Sequence, residues 1–156
     1  MTLHFAAVLI VHLALAAVGL CLIVIDARSH RLPNRIVLPA LGALILLLIV
    51  EAIMTGDGER PTRALLGGLA LAAFYAMLRL SSRQGMGGGD VKLAAVIGLA
   101  LAWHGWQTLL LGAAAAFLLG ALHALSLMAL RRATRHTRIA FGPWMIIGAA
   151  LAIGIA

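Results

Sequence analysis

Long runs of apolar residues constrain this sequence more than any other feature. Roughly 20 helical residues cross a hydrocarbon core about 30 Å thick. Five of six apolar runs in the sequence approach or exceed that length, and one is shorter. They cover residues 5–25, 36–54, 64–80, 91–102, 106–130 and 139–156, of which the fourth is the shortest. We therefore predict an all-α fold, a polytopic membrane helix bundle of about six transmembrane segments. A single membrane-embedded domain, residues 1–156, is expected to contain all of them.

Composition argues against a soluble protein. The chain has 156 residues, of which 63% are hydrophobic and 11% charged, whereas soluble domains average about 45–50% apolar and 25% charged residues. A soluble fold of this size could not cover itself with so few polar side chains. The excess apolar surface is expected to face membrane lipid.

The basic residues predict an orientation. Three, three and four of the 12 Lys and Arg residues fall in the first, third and fifth connections. They are Arg28, Arg31, Arg35, Arg79, Arg83, Lys92, Arg131, Arg132, Arg135 and Arg138. Basic residues stay on the cytosolic side of a membrane, so we expect these connections to be cytosolic and both termini to lie outside. The net charge of +7 then reflects topology and contact with lipid headgroups, and no nucleic-acid partner is predicted.

Two of the five acidic residues stand apart from the others. Glu51, Asp57 and Glu59 lie in or near the second connection, where water reaches them, whereas Asp26 and Asp90 fall at cytosolic boundaries of the first and fourth runs. Two predicted spans separate the two aspartates, and an even number of crossings returns the chain to the same side. Asp26 and Asp90 are therefore expected at one face of the membrane.

Paired carboxyl groups at a membrane face suggest acid and base catalysis. Like charges a few ångströms apart do not both ionise easily, so one carboxyl group keeps a proton. The ionised group activates water and the protonated one polarises a peptide carbonyl, as in aspartic proteases. The sequence does not assign the two roles between Asp26 and Asp90. Other readings stay open: helix caps or boundary residues, ion sites of a small proton- or cation-coupled carrier, or a non-catalytic assembly subunit.

A glycine-rich stretch precedes Asp90. We expect residues 85–89, which read GMGGG, to form non-helical backbone, since glycine permits positive φ and close approach of another segment. The 12 residues of the fourth run reach only about 18 Å as a helix. Asp90 is therefore expected below the membrane surface, in a water-accessible cavity lined by protein.

Few residues suggest metal or cofactor chemistry. Cys21 is the single cysteine, so neither an intrachain disulfide nor a cysteine zinc site is expected. The six histidines show no convincing spacing for metal ligands. We predict no metal and no cofactor.

Three motifs resemble those of the type IV prepilin peptidases. Residues 85–93, GMGGGDVKL, are similar to the GxGD signature of that family, with Gly87-Gly88-Gly89-Asp90 as its core. Residues 26–34, DARSHRLPN, resemble the family's first aspartate followed by a leucine-proline step. Residues 141–143, FGP, also look like a family feature. The similarity covers nearly the whole chain in order and spacing.

The resemblance implies an aspartyl endopeptidase at the cytosolic face of the bacterial inner membrane. Such enzymes remove the short basic leader from prepilins and pilin-like secretion subunits. Asp26 and Asp90 take the positions of the family's catalytic aspartates. The supporting motif positions are Gly87, Gly88, Gly89, Lys92, Pro33 and Asn34. Because Cys21 stands alone, the resemblance points to the minimal, stand-alone form without the zinc region of methyltransferases.

Overall fold

A computed structural model describes residues 2–29, 32–81, 87–132, 137 and 140–156 of the chain. In the first helix it describes side chains only at 13, 14 and 16–28. Several predicted features lie outside these residues, namely Gly85 and Met86 of the glycine-rich stretch, His30 and Arg31, the arginines at 83, 135 and 138, and the predicted start of the last run at Ile139.

Six helices follow one another through the described residues, and no strand occurs among them. They are α1 (Thr2–Ser29), α2 (Asn34–Thr55), α3 (Glu59–Ser81), α4 (Gly88–His104), α5 (Trp106–Ala129) and α6 (Gly142–Ile155). In the described ranges α2, α3 and α5 are long and apolar enough to cross a membrane, and α6 is a shorter apolar helix. The predictions of an all-α fold and of a membrane protein are confirmed.

The connections between helices at one end of the bundle are short and depend on glycine. Gly56 follows α2 with φ 67°, and its N–H donates to the carbonyl of Ala52. Gly105 separates α4 from α5 with φ 154°, and its N–H donates to Leu101. These left-handed conformations are open to glycine at little cost, so each helix ends at that position.

Two predicted boundaries are wrong in a way that concerns the aspartates. Helix α1 continues to Ser29 and α4 already begins at Gly88, so Asp26 and Asp90 lie within helices and not beside them. Helix α4 has 17 residues, which corresponds to about 26 Å, where the sequence predicted about 18 Å. A helix of this length places Asp90 less far below the membrane surface than the sequence predicted.

Helices α3 and α4 pack antiparallel along a seam of small residues. A Cβ at Gly98 would lie 2.6 Å from the carbonyl oxygen of Gly67 and 2.8 Å from the Cα of Gly68. Small residues let two helix backbones approach this closely, and they are typical of helix contacts in membranes. Helices α5 and α6 meet similarly, since a Cβ at Gly148 would lie 2.7 Å from the backbone nitrogen of Ala116.

We expect Gly98→Ala to lower the free energy of unfolding by about 1–3 kcal/mol, the usual cost of overpacking a well-packed interior. Backbone atoms of α3 meet the added methyl group and have little freedom to move. Gly42→Ala in α2 is the matched control, because a Cβ there meets nothing within 4 Å. Thermal unfolding of both variants in detergent measures the effect, and equal melting temperatures would contradict the close packing.

Contacts between helix ends show which termini share an end of the bundle. The Arg63 guanidinium, near the start of α3, donates to the carbonyls of Ala102 and Trp103 at the end of α4. At the opposite end, Lys92 of α4 donates to Asn34 of α2. The end of α3 and the beginnings of α2 and α4 therefore lie at one end of the bundle. The end of α1 and the beginning of α6 lie there too, since Gly142 donates to Asp26 and Leu32 packs beside both Gly89 and Gly142. This end therefore contains both aspartates.

Candidate active site

Asp26 and Asp90 are both buried at this shared end. Asp26 is 4% exposed and Asp90 is 9% exposed, and Thr108 is the one further buried polar residue among the described side chains. The carboxyl groups of Asp26 and Asp90 are close enough to interact electrostatically. The structure thus brings together the two aspartates that the sequence singled out.

Asp90 is held by the first turn of its own helix. It is the third residue of α4, and its Oδ2 accepts a hydrogen bond of 3.0 Å from the backbone N–H of Gly87. Gly87 is the N-cap of α4, so Asp90 does not occupy the N-cap position. Its side chain nevertheless caps the helix from the third position, because it accepts from the N–H of Gly87. Its position at the N-terminus of a helix also favours a negative charge there.

Asp26 is held by a distant part of the chain. Its Oδ2 accepts a buried hydrogen bond of 3.1 Å from the backbone N–H of Gly142, 116 residues away in sequence. Gly142 is the first residue of α6, and Pro143 follows it. Proline is favoured in a first helical turn because the N–H it lacks would have no helical partner.

Leu32 fills the space between the segments that carry the two aspartates. The residue is buried. A Cβ at Gly89 would lie 2.7 Å from the Cβ of Leu32, and a Cβ at Gly142 would lie 3.6 Å from its Cδ1. The Leu32 side chain therefore packs at once beside the residue before Asp90 and beside the amide that binds Asp26.

The three glycines before Asp90 differ in what surrounds them. Gly87 has φ −75°, and Gly88 and Gly89 belong to the first turn of α4. Positive φ among the described glycines is confined to Gly56 and Gly105. The expectation of non-helical backbone is therefore correct at Gly87 and wrong at Gly88 and Gly89, and none of the three has positive φ. The expected close approach of another segment is present at Gly88 and Gly89. Gly89 lies against Leu32, whereas Gly88 lies against the guanidinium of Arg79.

The other predicted motif residues connect α2 to α4. Pro33 is the N-cap of α2, and its carbonyl accepts hydrogen bonds from the N–H groups of Ile36 and Val37. Asn34 begins the helix and accepts a hydrogen bond of 2.8 Å from Lys92 Nζ. Pro33, Asn34 and Lys92 thus lie at the same end of the bundle as the aspartates, where Lys92 joins the helix of Asp90 to α2.

An aromatic cluster that the sequence patterns did not predict lies beside the aspartates. Tyr75 of α3 is 1% exposed, and its ring lies 5.6 Å from that of Phe117 and 6.0 Å from that of Phe141. Tyr75 also lies near enough to Asp90 to feel the charge of its carboxylate. The available signal was that Tyr75 is the single tyrosine in the sequence and falls inside an apolar run.

The arrangement of the two carboxyl groups is suited to proton transfer. No group of three or more His, Cys, Asp or Glu side chains clusters like metal ligands within the part of the chain that the structure describes. When two buried carboxyl groups interact, ionisation of one opposes ionisation of the other, so one of them keeps its proton. Such a pair can act as acid and base on a polar bond placed between them.

Comparison with known proteins agrees with these motifs. Residues 13–125 match the type IV leader peptidase family. The prepilin leader peptidase/N-methyltransferase of Pseudomonas putida is 35% identical over 135 residues, which is 86% of this chain and 46% of that protein. The protein of the same name from Escherichia coli K12 is 35% identical over 136 residues, or 86% of this chain and 58% of that protein.

The similarity covers most of this chain but only about half of those relatives. The chain spans about half the length of the curated relatives it matches. No solved structure was found to match it. The family match covers residues 13–125 and so includes both Asp26 and Asp90. The chain therefore belongs to the type IV leader peptidase family.

Proposed function

We propose that this protein is an aspartyl endopeptidase that removes the basic leader peptide from type IV prepilins or pilin-like secretion subunits. Asp26 and Asp90 are its catalytic pair. The observation that carries the proposal is the burial of these two carboxyl groups at the same end of a membrane helix bundle, near enough for their charges to interact. Membership of the type IV leader peptidase family supports the same reaction.

Cleavage needs one ionised and one protonated carboxyl group. The ionised aspartate takes a proton from a water molecule while the water oxygen attacks the scissile carbonyl carbon. The protonated aspartate gives its proton to the carbonyl oxygen, which produces a tetrahedral diol. Collapse of the diol breaks the C–N bond: the protonated member of the pair gives its proton to the leaving amine, and a diol hydroxyl gives its proton to the ionised member. Either assignment of the two roles to Asp26 and Asp90 satisfies this balance.

The neighbouring motif residues act by holding the pair in position. Gly87 donates its N–H to Asp90, and Gly89 lets Leu32 pack against the start of α4. Gly88 belongs to the same helical turn. Pro33 and Asn34 start α2, and Lys92 links α2 to α4. A fixed geometry matters because a misplacement of about 1 Å can cost 100-fold in rate.

The proposed location is the bacterial cytoplasmic membrane, with the aspartates toward the cytosol and both termini outside. The concentration of Lys and Arg in the first, third and fifth connections supports this orientation. The hydrophobic helix of the substrate then lies in the membrane and its basic leader stays in the cytosol. The scissile bond falls at the membrane boundary, where Asp26 and Asp90 meet.

Of the two activities in the relatives' name, we propose only the peptidase activity for this chain. Methylation of the new N-terminus is not proposed, because Cys21 is the single cysteine and paired CxxC zinc motifs need four. The peptidase is proposed to act as one domain, residues 1–156, without a metal or another cofactor.

The test is cleavage of a purified prepilin by this chain reconstituted in liposomes, with products identified by intact mass. We expect one cut, at the junction of the basic leader and the hydrophobic helix. Moving that junction one helical turn deeper into the hydrophobic segment should sharply reduce cleavage. Absence of cleavage with every prepilin of the source organism would overturn the proposal, and proton or cation flux in the same liposomes would then favour the carrier reading.

A further inference from the structure

The hydrogen bond from Gly142 to Asp26 joins two distant segments. Asp26 lies in the last turns of α1, and Gly142 is the first residue of α6. Gly142 lies beyond residues 13–125, which match the family. The bond is buried and 3.1 Å long, and it joins the helix N-terminus directly to a carboxylate. A helix N-terminus interacts favourably with a negative charge, so this contact both orients Asp26 and stabilises its charge.

The surroundings of Gly142 leave no room for a side chain. A Cβ at this position would lie 2.6 Å from Asp26 Oδ2 and 3.3 Å from its Cγ. Asp26 is 4% exposed and therefore has little space to retreat. Glycine at 142 is thus required for the carboxylate to reach the backbone N–H.

The residue before Gly142 fixes its position. The ring of Phe141 lies 5.2 Å from that of Phe117 on α5 and 6.0 Å from that of Tyr75 on α3. It also lies against Gly120, where a Cβ would come within 2.8 Å of the ring. The packing of Phe141 between two other helices determines where the Gly142 amide points.

We propose that Gly142 is a positioning residue for Asp26, and that Phe141 anchors it. This inference rests on the proposed function, because it assigns Gly142 to the same catalytic pair. Through this contact, α6 sets the orientation of the Asp26 carboxylate relative to Asp90. Gly142 acts through its backbone N–H and through the absence of a side chain, without touching the substrate.

The test compares three glycine-to-alanine variants of α6 in the reconstituted full chain. In Gly142→Ala the methyl group displaces the Asp26 carboxylate, whereas a Cβ at Gly154 meets nothing within 4 Å. A Cβ at Gly148 meets only backbone atoms of α5, so Gly148→Ala tests a purely structural defect. For Gly142→Ala we expect a fall in kcat of about 100-fold, larger than its loss of folded protein explains, with the KM for prepilin close to that of wild type.

The control variants are expected to behave differently. Gly154→Ala should match wild type in kcat, KM and melting temperature. Gly148→Ala should lower the melting temperature, and its loss of activity should follow the loss of folded protein. A fall in kcat for Gly142→Ala no larger than its loss of folded protein explains, as expected for Gly148→Ala, or a kcat equal to that of Gly154→Ala, would overturn the role of Gly142.

A second measurement separates this inference from the proposed function. In protein labelled with ¹⁵N-glycine, the amide signal lost in Gly142→Ala identifies Gly142. That signal should lie downfield, as expected for an N–H bound to a carboxylate, and should move upfield in Asp26→Asn. An unmoved signal overturns the contact whether or not prepilin is cleaved. If the signal moves but wild type cuts no prepilin, the contact stands and the proposed function fails.

Discussion

Asp26→Asn and Asp90→Asn should each reduce kcat/KM for prepilin cleavage by about 10³-fold or more. General acid and base catalysis by one side chain contributes about 10²–10⁴-fold, and each aspartate also influences the protonation of the other. Asparagine keeps the size of the side chain and a carbonyl oxygen able to accept from the Gly142 or Gly87 N–H. The fold should therefore persist, and the loss should reside in the chemical step.

The double variant gives a sharper test of the pair. Residues that act as one unit show strongly non-additive losses, so the double variant should be little worse than either single one. Losses that multiply would instead indicate two independent contributions. The assay is the fraction of prepilin cleaved in liposomes over time, with the melting temperature of each variant measured in parallel.

Asp57→Asn serves as the matched control for these substitutions. Asp57 lies in the connection between α2 and α3, at the opposite end of the bundle, where its Oδ1 accepts from the N–H of Glu59. Asparagine can accept the same bond, so cleavage should match that of wild type. Normal cleavage by Asp26→Asn or Asp90→Asn would show that the two-aspartate mechanism is wrong.

The pair itself was predictable from sequence for a simple physical reason. Charged side chains are costly within a bilayer, so Asp26 and Asp90 stood out as soon as the apolar runs were marked. Counting the spans between them was enough to predict that they meet at one face. The helix order followed from the same runs, and α5 ends within one residue of its predicted end.

The local structure around the pair was harder to predict. Gly88 and Gly89 have poor helix propensity, yet both are helical, because packing of α3 and Leu32 against this turn outweighs that preference. The contact of Gly142 with Asp26 spans 116 residues, and no local pattern encodes it. The FGP motif marked Gly142 as a family feature, but its role emerges only from the packing of α1 against α6.

Neighbouring glycines in the GxGD motif should differ strongly in their tolerance of alanine. We expect Gly89→Ala to reduce cleavage by about 100-fold or more, and Gly88→Ala to stay within about tenfold of wild type. A Cβ at 89 would lie 2.7 Å from the Cβ of buried Leu32, which cannot rotate away. Relief requires movement of the backbone next to Asp90, and a displacement of about 1 Å is enough for such a loss.

At position 88 the added methyl group meets a side chain that can move away more easily. It approaches the guanidinium of Arg79, the end of a long, exposed side chain that can move into solvent. This difference gives a physical account of a motif that specifies glycine at its first and third positions and leaves the second open. Both substitutions lie in the same helical turn, so their effects on helix propensity, about 1 kcal/mol each, are similar.

The comparison distinguishes close approach from flexibility as the reason for glycine before Asp90. If flexibility of the turn is what matters, Gly88→Ala and Gly89→Ala should be equally harmful. If close approach matters, Leu32→Gly should restore part of the activity of Gly89→Ala, because it removes the Cβ that the new methyl group meets. The measurement is the initial cleavage rate of Gly88→Ala, of Gly89→Ala, of Leu32→Gly and of the double variant that combines Leu32→Gly with Gly89→Ala. If Gly88→Ala and Gly89→Ala lose the same activity and the double variant recovers none, contact with Leu32 is not what requires glycine at 89.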